Sequence, residues 1–139
     1  EVTETAIQKA IHEIEENTGS KINFIVCSSG VKRALQEHLN EYKRAVNVTE
    51  LAGGYTAMTY NGIPVVSDRF CPEGTMYLLN TDDFCLHQLC DWRFLENING
   101  KILHQSEGKP VYTATLVKYC DLICANPKGQ AKIMGITRG

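Results

Sequence analysis

The sequence predicts an α+β fold in which two helices pack on a mixed, mostly antiparallel sheet, with long strands towards the C-terminus. Two amphipathic helical patterns flank a short apolar run near the N-terminus. From residue 53 to residue 136 the chain is instead a succession of strand and turn signals. Its 139 residues, 43% of them hydrophobic, suffice for one globular domain, or for one domain and part of another.

The first predicted helix covers residues 3–17. Thr5 and Gln8 have the spacing of a capping box, and Gly19 can end the helix in the left-handed conformation. Apolar residues recur at helical spacing on one side of this segment: Val2, Ala6, Ile7, Ala10, Ile11 and Ile14.

A strand and a second helix follow. Residues 21–27 are almost continuously apolar from Ile22, which predicts a strand buried on both faces. Ser28 or Ser29 then caps a helix over residues 31–46. Its apolar stripe consists of Val31, Leu35, Leu39, Tyr42 and Val46.

The strongest local signal in the chain is a hairpin. Gly53-Gly54 ends the helical part, and Asn61-Gly62 then separates the predicted strands at residues 55–60 and 63–70. A type I′ turn needs positive φ at both central residues, which Asn and Gly tolerate. Pro64 cannot donate to a sheet, so we expect an edge or a bulge there.

The remaining segments alternate between turns and strands. Residues 84–95 fit both an alternating strand and a helix, and we favour the strand. Residues 111–124 are apolar on both faces, so we expect one long strand with both faces covered. The other predicted strands are residues 76–79, 102–105 and 131–136, and the predicted turns are residues 71–74, 81–83, 99–100, 107–108 and 126–129.

Composition excludes two classes of partner. The net charge is −2 and no basic block occurs, which argues against nucleic-acid binding. No apolar run approaches the ~20 residues of a membrane helix, so no membrane partner is expected. The chain opens with Glu1-Val2-Thr3-Glu4, without a signal peptide or an initiator Met, and we expect it to be a fragment or a processed product.

The cysteine content of the chain is even, which would suit disulfides. However, four of the cysteines stand in apolar runs, and no secretion signal appears. We therefore expect free, buried thiols in a reducing cytoplasm. The six are Cys27, Cys71, Cys85, Cys90, Cys120 and Cys124.

One motif indicates an enzyme. Cys27 and Arg33 are separated by five residues, between a predicted strand and a helix start, as in the loop of cysteine-dependent phosphatases. Cys27 would attack phosphorus while Arg33 gripped two phosphate oxygens. Against this hypothesis, Val26 replaces the usual His before the Cys, and Ala34 replaces a hydroxyl residue after the Arg. Only Asp68 and Asp121 are nominal general acids, so a phosphatase remains the alternative hypothesis.

A metal site is the other chemical possibility. Cys85, His87 and Cys90 stand close together and could be joined by Cys120 and Cys124. The spacings differ from those of paired zinc ligands, and on a regular strand Cys85 and Cys90 would point to opposite faces. We therefore expect core packing, with no metal, no cofactor and no catalytic residue.

The order of elements resembles the tailed-bacteriophage major capsid proteins of the Hong Kong 97 type. In that family a strand like Ile25-Val26-Cys27-Ser28 leads into a helix that carries Lys and Arg, here Lys32-Arg33. Further similar segments are Pro64-Val65-Val66-Ser67-Asp68-Arg69, Gly74-Thr75-Met76-Tyr77-Leu78-Leu79, Tyr112-Thr113-Ala114-Thr115-Leu116, Tyr119-Cys120-Asp121-Leu122 and Asn126-Pro127. The resemblance covers essentially the whole chain.

The resemblance implies a structural subunit of a phage or prophage capsid. Residues 1–100 would form an axial-like α+β domain, and residues 101–139 the returning strands of a peripheral domain. The implied partners are copies of the chain in capsomers, together with scaffolding and portal proteins. The implied locations are the virion and, before assembly, the cytoplasm of the host bacterium. The family's arm, extended loop and spine helix precede this region, so we expect the C-terminal part of a longer protein that is not an enzyme.

Overall fold

The computed structural model describes residues 4–42, 48–51 and 54–137. The helices are α1 (Glu4–Thr18) and α2 (Ser29–Tyr42). The strands are β1 (Phe24–Cys27), β2 (Val48–Leu51), β3 (Tyr55–Tyr60), β4 (Ile63–Ser67), β5 (Met76–Leu79), β6 (Phe84–Phe94), β7 (His104–Gln105), β8 (Tyr112–Thr113), β9 (Leu116–Cys124) and β10 (Ala131–Ile133). Short 3-10 turns cover Thr81–Asp83 and Pro127–Gly129, where turns were predicted.

Helix α1 ends as its sequence predicts. Gly19 has φ 67°, and its N–H donates to the carbonyl of Glu15 at 3.0 Å. Glycine adopts this left-handed conformation without a Cβ clash, so it closes the last turn. The predicted capping box is wrong, because Thr5 already lies inside the helix.

Helix α2 begins two residues earlier than predicted. The carbonyl of Ser28 accepts the N–H of Lys32 at 3.0 Å, which makes Ser28 the residue that precedes the first turn. Val31, Leu35 and Leu39 are buried as the apolar stripe predicts. Residues 43–46 of the predicted helix lie outside the described residues, and so do the side chains of Tyr42 and Val46.

Six strands form one mixed sheet in the order β10-β5-β1-β4-β3-β2. Strand β1 runs parallel to β4, and every other pair in this sheet is antiparallel. Both helices contribute apolar side chains to the core that covers the sheet. The predicted class, two helices on a mixed and mostly antiparallel sheet, is confirmed.

The predicted turn between β3 and β4 is confirmed, but β4 is not the edge strand that Pro64 suggested. Asn61 and Gly62 have φ values of 49° and 82°, as a type I′ turn requires. Strand β4 lies between β1 and β3, so Pro64 is not on an edge strand. Its pairing with β1 begins only at Val65, so a Pro without an N–H is tolerated one residue earlier.

Several strands differ in extent from the prediction. Strand β2 was not predicted, and β1, β7 and β10 cover only parts of the predicted segments. Strand β4 stops at Ser67 because Asp68 turns the chain: its Oδ1 accepts the N–H of Phe70 at 2.8 Å. Strand β10 stops before Gly135, whose φ of 74° leaves the extended region.

Strand β1 is fully buried on one face only. Ile25 and Cys27 are fully buried, whereas Phe24 and Val26 are half-buried. The prediction of burial on both faces was therefore wrong. The core lies on the side of the first pair, where it contains Val65, Met76 and Leu78.

The chain divides into two compact units. Unit 1 comprises Glu1–Asp83 and Ala125–Gly139, and unit 2 comprises Phe84–Cys124. Among the described residues, every buried hydrophobic side chain belongs to unit 1. These limits differ from the expected division after residue 100, because β6 pairs with β9 and keeps residues 84–94 with the later strands. The assignment of axial and peripheral domains stays a prediction.

Unit 2 contains two short ladders. Strands β6 and β9 form one antiparallel pair, and β7 and β8 form another. The expected single strand over residues 111–124 is thus wrong, because its two ends pair with different partners. The break falls at Ala114-Thr115, where the Thr115 carbonyl accepts the N–H of Leu95 at 2.8 Å. Residues 84–95 fitted both a strand and a helix in the sequence, and the favoured strand is present as β6.

None of the described helices is long and apolar enough to cross a membrane.

Candidate assembly surface

The loop after β1 does not form an anion cradle. The N–H of Ser28, which would have to face a phosphate, donates to the carbonyl of Thr75 at 3.3 Å. Arg33 points along the outside of α2, where its Nε lies 3.5 Å from Oε1 of Glu37 and its side chain is 70% exposed. The guanidinium of Arg33, which would have to bind phosphate, therefore pairs with Glu37 one helical turn further along the surface of α2.

Cys27 itself is unsuited to nucleophilic attack. It is completely buried, and its Sγ lies 3.6 Å from the carbonyl oxygen of Val66. Burial, reinforced by neighbouring Cys71, raises the pKa of the Cys27 thiol to about 11, although Lys32 opposes the shift. A phosphatase needs a thiolate near neutral pH, so this environment favours the wrong protonation state.

The metal-site candidates lie on the β6–β9 pair. The ladder registers Gln88 with Cys120 and then Cys90 with Tyr119, so Leu89 is an extra residue in a β-bulge. Because the bulge shifts the alternation, Cys85 and Cys90 are on one face, and the expectation of opposite faces was wrong. Even so, the described residues contain no cluster of three or more His, Cys, Asp or Glu suited to a metal ion.

The expectation of buried thiols holds for one cysteine only. All six cysteines are free, which agrees with the prediction, but only Cys27 is buried. Cys85 and Cys120 are exposed, and Cys71, Cys90 and Cys124 are half-buried. The apolar runs that suggested burial belong mostly to unit 2, which has little interior.

Unit 2 carries an exposed apolar surface on the β6–β9 pair, here named the apolar ribbon. Leu86 and Leu122 face each other across the ladder and are 54% and 63% exposed. Phe94 and Leu116 form a second cross-strand pair, each 50% exposed. The members of the ribbon are Leu86, Trp92, Phe94, Leu116 and Leu122 on one face, and Tyr119 and Ile123 on the other.

The ribbon is exposed because nothing else in unit 2 covers it. A two-stranded pair has no interior of its own, and an isolated hairpin is marginally stable in water. The prediction that both faces of residues 111–124 are covered is wrong within this chain. Several large apolar side chains exposed on one element often mark a contact surface. The arrangement suits association rather than chemistry.

A polar cluster holds the Trp92 side chain of the apolar ribbon in place. Lys118 Nζ lies 3.3 Å from Oδ1 of Asp91 and 5.8 Å from the ring centroid of Trp92. The backbone N–H of Trp92 and, next, Lys118 hold the pKa of Asp91 below its usual value. The cluster orients the Trp92 ring on the exposed face through a cation–π contact.

Two comparisons with known proteins found a match. A family model described as SU10 major capsid protein matches residues 1–137. The chain belongs to this family. The chain is also similar in fold to the holo-SrpI encapsulin complex from Synechococcus elongatus PCC 7942, with a TM-score of 0.61 and 15% identity. That match covers 91% of this chain and 48% of the encapsulin chain, so this chain spans about half of that length.

No match was found among curated proteins. The family is one of major capsid proteins, which are structural, and the phosphatase alternative receives no support from the geometry around Cys27. The feature that sequence reasoning missed in this chain is the exposure of the ribbon. Apolar alternation on both faces was visible, but it does not distinguish a strand covered by its own chain from one covered by another molecule.

Proposed function

We propose that the chain is the part of a Hong Kong 97-type shell subunit that associates with copies of itself and has no enzymatic role. The observation that carries this proposal is the apolar ribbon, exposed on both faces in a member of a major capsid protein family. A surface of that kind is costly in an isolated chain and favourable in a lattice.

Burial of the ribbon would supply part of the assembly energy. Apolar surface removed from water contributes roughly 25 cal/mol per Å², but ordering and lost rotation offset much of this on association. A shell nevertheless holds together, because each subunit makes many modest contacts with several neighbours. Weak individual contacts also allow wrongly placed subunits to leave during assembly.

The same proposal includes the domains, partners and location. Unit 1 corresponds to the axial part around a capsomer axis, and unit 2 belongs with the returning peripheral strands. The partners are other copies in capsomers, with scaffolding and portal proteins during assembly, and no specific nucleic acid. The subunit assembles in the cytoplasm of a host bacterium and then resides in the virion.

Electron microscopy of the complete shell protein, expressed alone and with its scaffolding protein, tests the proposal. Closed shells or capsomer rings are the expected result. A variant with Leu86→Lys and Leu122→Asp should keep the secondary structure of the wild type, because both side chains are already exposed and the new charges are opposite in sign across the ladder, and should form far fewer particles. Monomers of the wild-type protein under every condition would refute the proposal.

A further inference from the structure

The six-stranded sheet of unit 1 ends in two strands that each pair on one side. Strand β10 pairs with β5 at one end of the sheet, and β2 pairs with β3 at the other. Within residues 4–42, 48–51 and 54–137, no further strand lies beside either of them. Their outer sides are here named the β10 edge and the β2 edge. Backbone groups on such edges can bind a strand of another molecule.

The hydrogen-bond pattern of β5 shows which backbone groups lie on the β10 edge. The N–H of Ser28 donates to the carbonyl of Thr75 at 3.3 Å, next to the β1–β5 ladder. Bonded residues alternate along an antiparallel ladder, so Tyr77 also directs its N–H and carbonyl to β1. Lys132 is registered with Tyr77, and its N–H and carbonyl therefore point away from β5. An incoming strand can bond to both groups.

A groove accompanies the β10 edge. The residues that line it come from α1, from β10 and from the turn before β10, and its volume is about 600 Å³, within the usual range of binding pockets. Ile14 and Ile133 contribute apolar surface. The charged residues of the lining are Glu13, Lys128 and Lys132, so basic groups predominate. Alternate side chains of a strand added to β10 would enter this groove.

Charge distinguishes the strand that suits the β10 edge. Lys132 is the charged residue of β10, Glu50 is that of β2, and both residues are exposed. Lys132 Nζ lies 5.4 Å from the ring centroid of Tyr77, which keeps it near the edge. Two β10 edges would bring lysines together and two β2 edges would bring glutamates together, whereas β10 against β2 combines opposite charges. Like charges across a ladder are destabilising and opposite charges are stabilising.

Strand β2 also carries an apolar side chain on the appropriate face. Val48 is 65% exposed and is registered with Met58, a core residue, so it points to the face of the sheet on which the core lies. Ile133 points to the same face, because it is registered with Met76 of the core. If the sheet continues from one copy into another, Val48 therefore lies on the side of the groove.

We propose that the β2 edge of one copy pairs with the β10 edge of a second copy, so that the sheet of unit 1 continues between copies. This inference rests on the proposed function, since it needs copies to meet. Four antiparallel pairings and one parallel pairing separate β10 from β2, so both run in the same direction and their pairing is parallel. The contact joins different surfaces, so it is heterologous and can close into a ring that leaves no edge open.

Charge reversal in the complete shell protein is the first test. Glu50→Lys and Lys132→Glu should each raise the protein concentration needed for assembly at least about tenfold, because each places like charges across the contact. The double variant should recover most of the loss, since its charges are again opposite. Lys9→Glu is the matched control: it makes the same charge change at an exposed position of α1 outside the groove and should assemble like the wild type.

Assembly is measured by sedimentation and electron microscopy, and circular dichroism shows that each variant is folded. Losses in both single variants without recovery in the double variant would overturn the pairing of these two edges. That result is also the one expected if two β10 edges, or two β2 edges, met instead.

Hydrogen exchange of the wild-type protein is the second test and needs no variant. The amides of residues 48–51 and of Lys132 should exchange more slowly in the shell than in the unassembled protein, because pairing takes up the backbone groups of both edges. Lys132→Pro removes the outward N–H and should weaken assembly, whereas Lys132→Arg keeps the N–H and the charge and should not. Unchanged exchange at both edges would overturn the proposal.

The possible outcomes separate the two proposals. A wild-type protein that never associates overturns both of them. Wild-type shells together with normal assembly of Glu50→Lys and Lys132→Glu overturn the edge pairing and leave the shell function intact. Loss in the single charge variants, recovery in the double variant and slower exchange at both edges support the continued sheet.

Discussion

The side chain at Cys27 shows how environment decides what a residue can do. In the sequence, five residues separate it from Arg33, a spacing that catalysis could use. The structure buries the thiol completely and turns the arginine to solvent. Cys27 is therefore part of the core, and Arg33 is part of a surface ion pair.

The raised pKa of Cys27 predicts a loss of stability at high pH. The folded thiol has a pKa of about 11 against 9.0 for the ordinary group, so folding favours the protonated form. The stabilisation is complete below pH 9 and disappears as the pH rises through 11, with a magnitude of up to about 3 kcal/mol. Urea unfolding between pH 8 and pH 11 measures this, and Cys27→Ala should show a smaller decline.

The same burial predicts that the wild-type chain and Cys27→Ser both fail to hydrolyse an aryl phosphate. Hydrolysis by the wild type that disappears in Cys27→Ser would restore the phosphatase hypothesis. Thiol labelling at pH 8 provides a parallel measurement: Cys85 and Cys120 should react rapidly, and Cys27 only after unfolding.

At the scale of elements, the chain after β10 is held against the turn before β5. The N–H of Ile136 donates to the carbonyl of Gly74 at 3.0 Å, and a Cβ at Gly74 would lie 2.8 Å from the Ile136 carbonyl oxygen. Gly74 also has φ 64°, so an L side chain there meets both backbone strain and a close neighbour.

Gly74→Ala should therefore lower the free energy of unfolding by about 2–4 kcal/mol. Gly100→Ala is the matched control, because its φ of 69° is similar but no atom lies within 4 Å of the added Cβ. We expect the control to cost only about 1 kcal/mol. Chemical denaturation of both variants measures the difference, and equal losses would contradict the role of the Ile136 contact.

A second link between elements depends on Gln130. Its Oε1 accepts the N–H of Asn80 at 2.6 Å, and its Nε2 donates to Oδ2 of Asp83 at 2.9 Å. Gln130→Ala leaves both partners without this bond and should cost about 1–3 kcal/mol in unfolding free energy. The exposed Gln88 provides the control, since Gln88→Ala should change stability by less than about 0.5 kcal/mol. Thermal melting compares the two.

At the scale of the whole molecule, the two units differ in what stabilises them. Unit 1 contains all the described buried hydrophobic side chains, whereas unit 2 exposes most of its large apolar ones. The chain leaves unit 1 after Asp83 and returns at Ala125, whose N–H donates to the Asp83 carbonyl at 2.8 Å. Asp83 and Ala125, the residues of unit 1 on either side of unit 2, are therefore adjacent.

This adjacency predicts that unit 1 folds without unit 2. Replacement of residues 84–124 by a short Gly-Ser linker should leave the unfolding free energy within about 1 kcal/mol of the original, because a short loop closes ends that already touch. Circular dichroism and urea unfolding measure this. The same protein should fail to assemble into shells, and a molten, non-cooperative product would refute the independence of unit 1.

Local physical chemistry was sufficient to determine several features from the sequence. The 3.6-residue periodicity specified both helices, Gly19 specified the end of α1, and Asn61-Gly62 specified the hairpin, because each depends on neighbouring residues in the chain. Tertiary structure alone decided the interior place of Pro64, the bulge at Leu89, the division of residues 111–124 into two strands and the exposure of the ribbon. Strand limits and burial depend on which distant segment lies alongside, and for the ribbon we propose that this segment belongs to another copy of the protein.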